Sequence, residues 1–88
     1  MELLRAELQD QNQWILTTSV GSIIHSLCAK RPNSPNMGWK PLGTETFSGK
    51  FSSYQELRQS IYRLVMRGCT ENFTISTCGT VVTVNQNR

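Results

Sequence analysis

Residues 53–85 set an amphipathic helix and a β-hairpin in direct succession, which limits the chain to folds in which a helix covers one face of a sheet. Ser53-Tyr54-Gln55-Glu56 has the S-x-x-E spacing in which hydroxyl and carboxylate each satisfy an orphan backbone N–H at a helix start. Tyr54, Leu57, Ile61, Leu64 and Val65 then recur at three and four, which gathers them into one stripe for burial. Gln59, Arg63 and Arg67 face the other way. Arg63 and Arg67 also lie in the last turns, where exposed carbonyls favour cations, and Gly68 offers a left-handed stop. A helix is therefore predicted over residues 53–67.

Residues 72–77 and 80–85 flank Cys78-Gly79 and read as two strands joined by a two-residue loop. That register sets Thr77 opposite Thr80, Ile75 opposite Val82 and Phe73 opposite Val84, so the large apolar residues share one side. Thr74 and Thr83 take the outer face. Cys-Gly is a weaker turn signal than Asn-Gly, because only its second residue accepts a positive φ cheaply, so a longer or bulged loop is the variant reading.

Residues 14–30 support two readings. With Gly21-Ser22 as a type II′ turn, residues 14–20 and 23–30 form a hairpin that pairs Val20 with Ile23, Leu16 with Leu27 and Trp14 with Ala29. The rival is a helix beginning near Ser19, because Ile23, Ile24, Leu27 and Cys28 also fit a three-and-four spacing. The hairpin is preferred, since β-branched residues and the cross-strand match agree with the turn.

At the N-terminus, Leu3, Leu4 and Leu8 among charges suggest about two turns of amphipathic helix, a length that needs docking to persist. Residues 31–43 hold all three prolines (Pro32, Pro35, Pro41) with Asn33, Asn36, Gly38 and Gly43, and read as an irregular connection. Trp39, between Met37 and Lys40 in terms of that loop, either folds back to plug the core or is presented to a partner, with folding back preferred. Residues 44–51 alternate as a strand with Phe47 and Phe51 on one face, given a bulge or bend at Gly49. The expected fold is α+β in one domain: an antiparallel sheet of four or five strands, in the order ββ(β)αββ, with one main helix packed on one face.

The chain has 88 residues, 38% of them apolar and 17% charged, which suits a globular domain with a polar surface rather than a disordered one. No signal-peptide pattern and no membrane-length apolar run is present in it. Cys28, Cys69 and Cys78 are odd in number and lack paired spacing, which points to a reducing compartment and a cytoplasmic protein. Asn72-Phe73-Thr74 matches a glycosylation pattern but reads as ordinary strand. The net charge is +3, and residues 1–10 carry −2 of it (Glu2, Glu7 and Asp10 against Arg5), leaving +5 on the remainder. That surplus can steer an anionic partner.

Catalytic groups are sparse. His25 stands alone as histidine, three residues from Cys28, with no carboxylate near in sequence to orient it. One histidine and three scattered cysteines lack the paired spacing of a zinc site, so no metal is expected. Gly43 to Gly49-Lys50 departs from a phosphate loop, with five residues between the glycines and Phe51 where Ser or Thr should stand. Of the six acidic residues, Glu45 and Glu71 can approach each other in space, but nothing in the spacing pairs any two for acid-base work. No enzyme activity and no cofactor are expected.

Binding remains. The leading expectation is a regulator or inhibitor that docks on a larger protein through Gln55, Gln59, Tyr62, Arg63 and Arg67, or through the loop bearing Trp39 and Lys40, residue types common at interface hot spots. Its size and polar composition suit an accessory protein of a virus or mobile element. An exposed hairpin edge offers a further route, strand addition to a partner or to a second copy as a homodimer. The alternative is nucleic-acid binding, winged-helix-like or sheet-based, with Arg58, Arg63, Arg67, Lys30, Arg31, Lys40 and Lys50 on phosphates. A membrane partner is not expected.

Overall fold

The computed structural model describes residues 1–28, 38–68 and 72–87. The chain is α+β, and its described residues form six strands and two helices in the order ββαββαββ: β1 (Glu2–Asp10), β2 (Gln13–Thr17), α1 (Gly21–Cys28), β3 (Trp39–Pro41), β4 (Thr46–Lys50), α2 (Tyr54–Gly68), β5 (Phe73–Cys78) and β6 (Val81–Gln86). All pairings are antiparallel, in the spatial order β3-β4-β2-β1-β6-β5. The expected four or five strands and one main helix thus become six strands and two helices among the described residues.

One row across the sheet explains most of the core. Phe47, Leu16, Ala6, Val82 and Thr77 stand opposite one another on β4, β2, β1, β6 and β5, and the first four of these are fully buried. A neighbouring row runs Trp39, Gly49, Trp14 and Leu8. Because strand side chains alternate, these rows share one face with Leu4, Val84, Ile75 and Phe73, and the opposite face carries Arg5, Glu7, Ser48, Thr83 and Lys40. The helices seal only the apolar face: Ile23 and Leu27 from α1, and Leu57, Ile61, Leu64 and Val65 from α2, belong to the same buried cluster as the strand residues.

The N-terminal segment is β1, not two turns of helix. Its Glu, Leu, Ala and Arg residues favour helix by intrinsic propensity, but Leu4, Ala6 and Leu8 alternate, and β1 is the central strand that bonds β2 on one side and β6 on the other. A shift in register between Glu2 and Leu4 turns Leu3 inward as well.

The hairpin expected over residues 14–30 is also replaced. Trp14 and Leu16 sit on β2 but pair with Leu8 and Ala6 on one side and with Gly49 and Phe47 on the other. Gly21-Ser22 opens α1: the Ile23 and Ile24 N–H groups donate to the Val20 carbonyl at 3.1 and 3.0 Å. Buried Thr18 makes the corner, its hydroxyl donating to the Leu3 carbonyl (2.9 Å) and accepting from the Val20 N–H (3.1 Å). The rival helix reading was the right one, and Ile23 and Leu27 are its buried i, i+4 pair.

For α2 the expected helix is present, with its cap altered. Ser53 Oγ accepts the Glu56 N–H at 3.2 Å, but the Glu56 carboxylate turns to the N–H and hydroxyl of Ser52 (3.2 and 2.7 Å) rather than to Ser53. Gly68 closes the helix without the left-handed conformation, which among the described glycines belongs to Gly38 and Gly79. Its value lies in closeness: a Cβ there would come within 3.0 Å of Ile23 Cα and 3.1 Å of the Ser22 carbonyl, so Gly68 is what lets α2 meet the start of α1.

The C-terminal hairpin keeps its predicted faces with a register two residues further on. Its loop is Gly79-Thr80, and Cys78 pairs with Val81, Thr77 with Val82, Ile75 with Val84 and Phe73 with Gln86. Gly79 takes φ +61° at the first loop position, as a type II′ turn demands, and this outweighs a loop with cysteine first. Gly49 lies in unbroken pairing rather than at a bulge. A Cβ on it would meet Phe51 and Trp39 ring carbons at 2.7 and 2.8 Å, so the position serves the aromatic packing above it. The connection expected over residues 31–43 contributes β3, which hairpins with β4 as the Leu42 N–H donates to the Thr46 carbonyl (2.8 Å). Lys30, Arg31, Cys69 and Glu71 lie outside the described residues.

Candidate functional site

The amphipathic division of α2 creates the site. With Leu57, Ser60, Ile61, Leu64 and Val65 buried, all the remaining positions but Glu56 and Gly68 form two exposed lines at i, i+4 spacing: Tyr54, Arg58, Tyr62 and Met66, and Gln55, Gln59, Arg63 and Arg67. Gln55, Arg58, Gln59, Tyr62 and Arg63 border an open depression of about 440 Å³. All five belong to one helix, so its walls come from a single element. Such a depression is open to solvent, unlike the enclosed cavities that hold small ligands.

The first line leans over the end of the sheet. The Tyr54 hydroxyl hydrogen-bonds the Thr77 hydroxyl, and the Tyr62 ring lies 5.4 Å from that of Phe73, tilted by 52°. Tyr62 is still 51% exposed and Tyr54 42%, so each ring is held at one side and open at the other. Tyr54, expected in the buried stripe, is therefore a rim residue.

Charge is segregated as well. Arg58, Arg63 and Arg67 stand on exposed α2, where Glu56 is drawn aside to Ser52. Arg5 lies on the opposite sheet face at 3.3 Å from Glu2 and 3.8 Å from Glu7. Arg58 and Arg63 meet no carboxylate among the described residues, so the helix face presents net positive charge.

Of the residues singled out from the sequence, Gln55, Gln59, Tyr62, Arg63 and Arg67 are brought together on this face. Trp39 is not. It is fully buried, its indole N–H donates to Ser60 Oγ at 2.9 Å, and its ring packs 5.0 Å from Phe51. It offers no surface to a partner, and of its two readings the fold adopts the core plug. Lys40, the next residue on β3, is exposed on the sheet's far side, so a single flat partner cannot touch both Lys40 and α2. Tyr54 and Met66 were absent from the predicted set, and Arg58 entered it only as a phosphate contact. Their signal was available in the i, i+4 line through Tyr62.

His25 and Cys28 are exposed on α1, and Cys78 is exposed at the end of β5. Among the described residues no group of three or more His, Cys, Asp or Glu side chains converges as a metal site would require. No described helix is long and apolar enough to cross a membrane. Comparison with known proteins identifies no relative: no family model, no curated protein and no solved structure matches the chain.

Proposed function

We propose that this protein is a small non-enzymatic regulator or inhibitor that acts by docking the outer face of α2 on a larger protein. The observation that carries this reading is the gathering of two guanidinium groups, two side-chain amides and a half-exposed tyrosine (Arg58, Arg63, Gln55, Gln59, Tyr62) into one patch. Arg and Tyr are the residue types whose truncation costs most at interfaces. Here they project from a helix locked to the core by five buried residues, so little backbone entropy is lost on binding. The predominance of cations favours an acidic partner surface and a rapid, salt-sensitive encounter.

The test is capture from a lysate of the source cells, with a photo-crosslinking residue at position 59 or, as control, at position 83 on the far sheet face. The same protein should be crosslinked from position 59 only, and Arg58→Ala/Arg63→Ala should abolish the adduct at an unchanged melting temperature. An adduct indifferent to those changes overturns the reading. So does salt-dependent binding to duplex or single-stranded nucleic acid that the same substitutions remove, which would instead favour a nucleic-acid-binding regulator.

A further inference from the structure

We infer that the partner reaches this face as an extended acidic segment that adds to the open edge of β5, seating a carboxylate on Arg58 between Tyr54 and Tyr62. The inference rests on the docking reading and specifies what α2 recognises.

β5 ends the sheet, with β6 on one side and no strand on the other among the described residues. In a two-residue hairpin the pair flanking the loop exchanges both hydrogen bonds, and bonding alternates from there. Cys78, Ser76 and Thr74 accordingly bond β6, and the Asn87 N–H to Asn72 carbonyl bond (2.9 Å) continues the same alternation. Phe73, Ile75 and Thr77 are left to direct N–H and C=O outward. The strand, Phe-Thr-Ile-Ser-Thr-Cys, has no lysine, no proline and no bulge, the devices that normally keep an edge from pairing.

Above this edge, α2 runs antiparallel to β5, since Tyr54 meets Thr77 and Tyr62 meets Phe73. Eight residues of helix advance about 12 Å and four of strand about 13 Å, so the two elements keep pace. Arg58, midway between the tyrosines, comes level with Ile75. An added antiparallel strand would set alternate side chains opposite Thr77, Ile75 and Phe73, at the spacing of Tyr54, Arg58 and Tyr62. The fitting pattern is apolar, any, acidic, any, apolar.

Charge decides between occupants. A second copy related by a twofold axis would bring Phe73, Ile75 and Thr77 to the edge, with no carboxylate among them, and would crowd two copies of Arg58 into one interface. An acidic segment meets an arginine that no described carboxylate occupies, and gains the outward backbone groups as well.

The probe is the capped peptide Thr-Val-Thr-Asp-Thr-Val-Thr, added to the full chain labelled with ¹⁵N and followed by amide exchange. Binding should slow exchange at Phe73, Ile75 and Thr77 and leave Thr74, Ser76 and Cys78, already bonded to β6, unchanged. N-methylation of the Asp, whose N–H would bond the Ile75 carbonyl, should abolish binding. Lys in place of that Asp should weaken it about tenfold, roughly 1.4 kcal/mol, and Arg58→Glu should reverse the preference. Protection elsewhere, indifference to N-methylation, or an Asp preference that survives Arg58→Glu overturns the inference. So does a concentration-dependent dimer in which those three amides are protected without peptide. If the peptide fails while crosslinking from position 59 persists, strand addition falls and the docking reading stands; loss of that adduct's dependence on Arg58 and Arg63 removes the docking reading itself.

Discussion

The two ends of the sheet are built on different principles. At one end β3 is three residues long, carries Lys40 and Pro41, and is fastened to the core through Trp39, whose ring is fully buried and hydrogen-bonded to α2. At the other end β5 is six residues long, uncharged, and covered at its margin by tyrosines that remain about half open. Shortness, charge and proline guard the first edge, while the second strand has none of these devices. The difference teaches that α2 does two jobs with its two flanks: Ser60 ties down β3, and Tyr54 and Tyr62 frame the edge of β5.

The most drastic way to break this contrast is to remove the helix that serves both ends. Ile61 is fully buried beneath α2, and Ile61→Asp places an unpaired charge there, a loss of about 4 kcal/mol or more in a domain whose whole stability is on the order of 5–15 kcal/mol. The expected outcome is loss of the cooperative melt in far-UV circular dichroism. A melt like the parent's would show that α2 does not cover the sheet.

Trp39→Ala should come next, at about 3–5 kcal/mol by chemical denaturation, with β3 amides exchanging fastest and β5 amides barely affected. Trp39→Phe keeps most of the volume and removes the indole N–H to Ser60, for about 1–2 kcal/mol. Equal loss of protection at both edges would erase the asymmetry.

Tyr62→Ala acts at the other end and should cost less, about 0.5–1.5 kcal/mol, because the ring is half exposed and packs on Phe73 at one side only. Its effect should appear as faster exchange near Phe73, with Trp39 fluorescence unchanged. Smallest of all is Arg63→Ala, within about 0.5 kcal/mol of the parent in stability; a larger destabilisation would mean that the guanidinium supports the fold rather than a contact.

The legibility of these regions in the sequence followed how local their determinants are. α2 could be placed from its Ser53 cap and its apolar spacing, because both act within a few residues. The face of the β5–β6 hairpin survived a register error, since a slip of two residues returns every side chain to the same side. β1 was hidden. Its residues prefer helix in isolation, and only β2 and β6, one of them from the far end of the chain, make it the central strand. Residues 19–28 satisfied both periodicities, and the choice fell to tertiary packing: α1 places Ile23 against Gly68. On the outer side of α2, the exposed complement of the buried stripe was readable, which placed Gln55, Gln59, Tyr62, Arg63 and Arg67 together on one face. The meeting of Tyr54 with Thr77 and of Tyr62 with Phe73 was not, because it depends on how α2 lies across a strand that follows it in the chain.

The sequence by itself determined an α+β chain with a capped amphipathic helix, a C-terminal hairpin with one apolar face, and a basic helix exterior, all set by periodicity and short-range hydrogen bonding. Only the tertiary structure decided that the N-terminus is a central strand, that Trp39 is held in the core by Ser60 and Phe51, and that among the described residues β5 has an unpaired edge beside Tyr54 and Tyr62. Those features arise from contacts between residues far apart in sequence, where burial and cross-strand pairing outweigh local propensity.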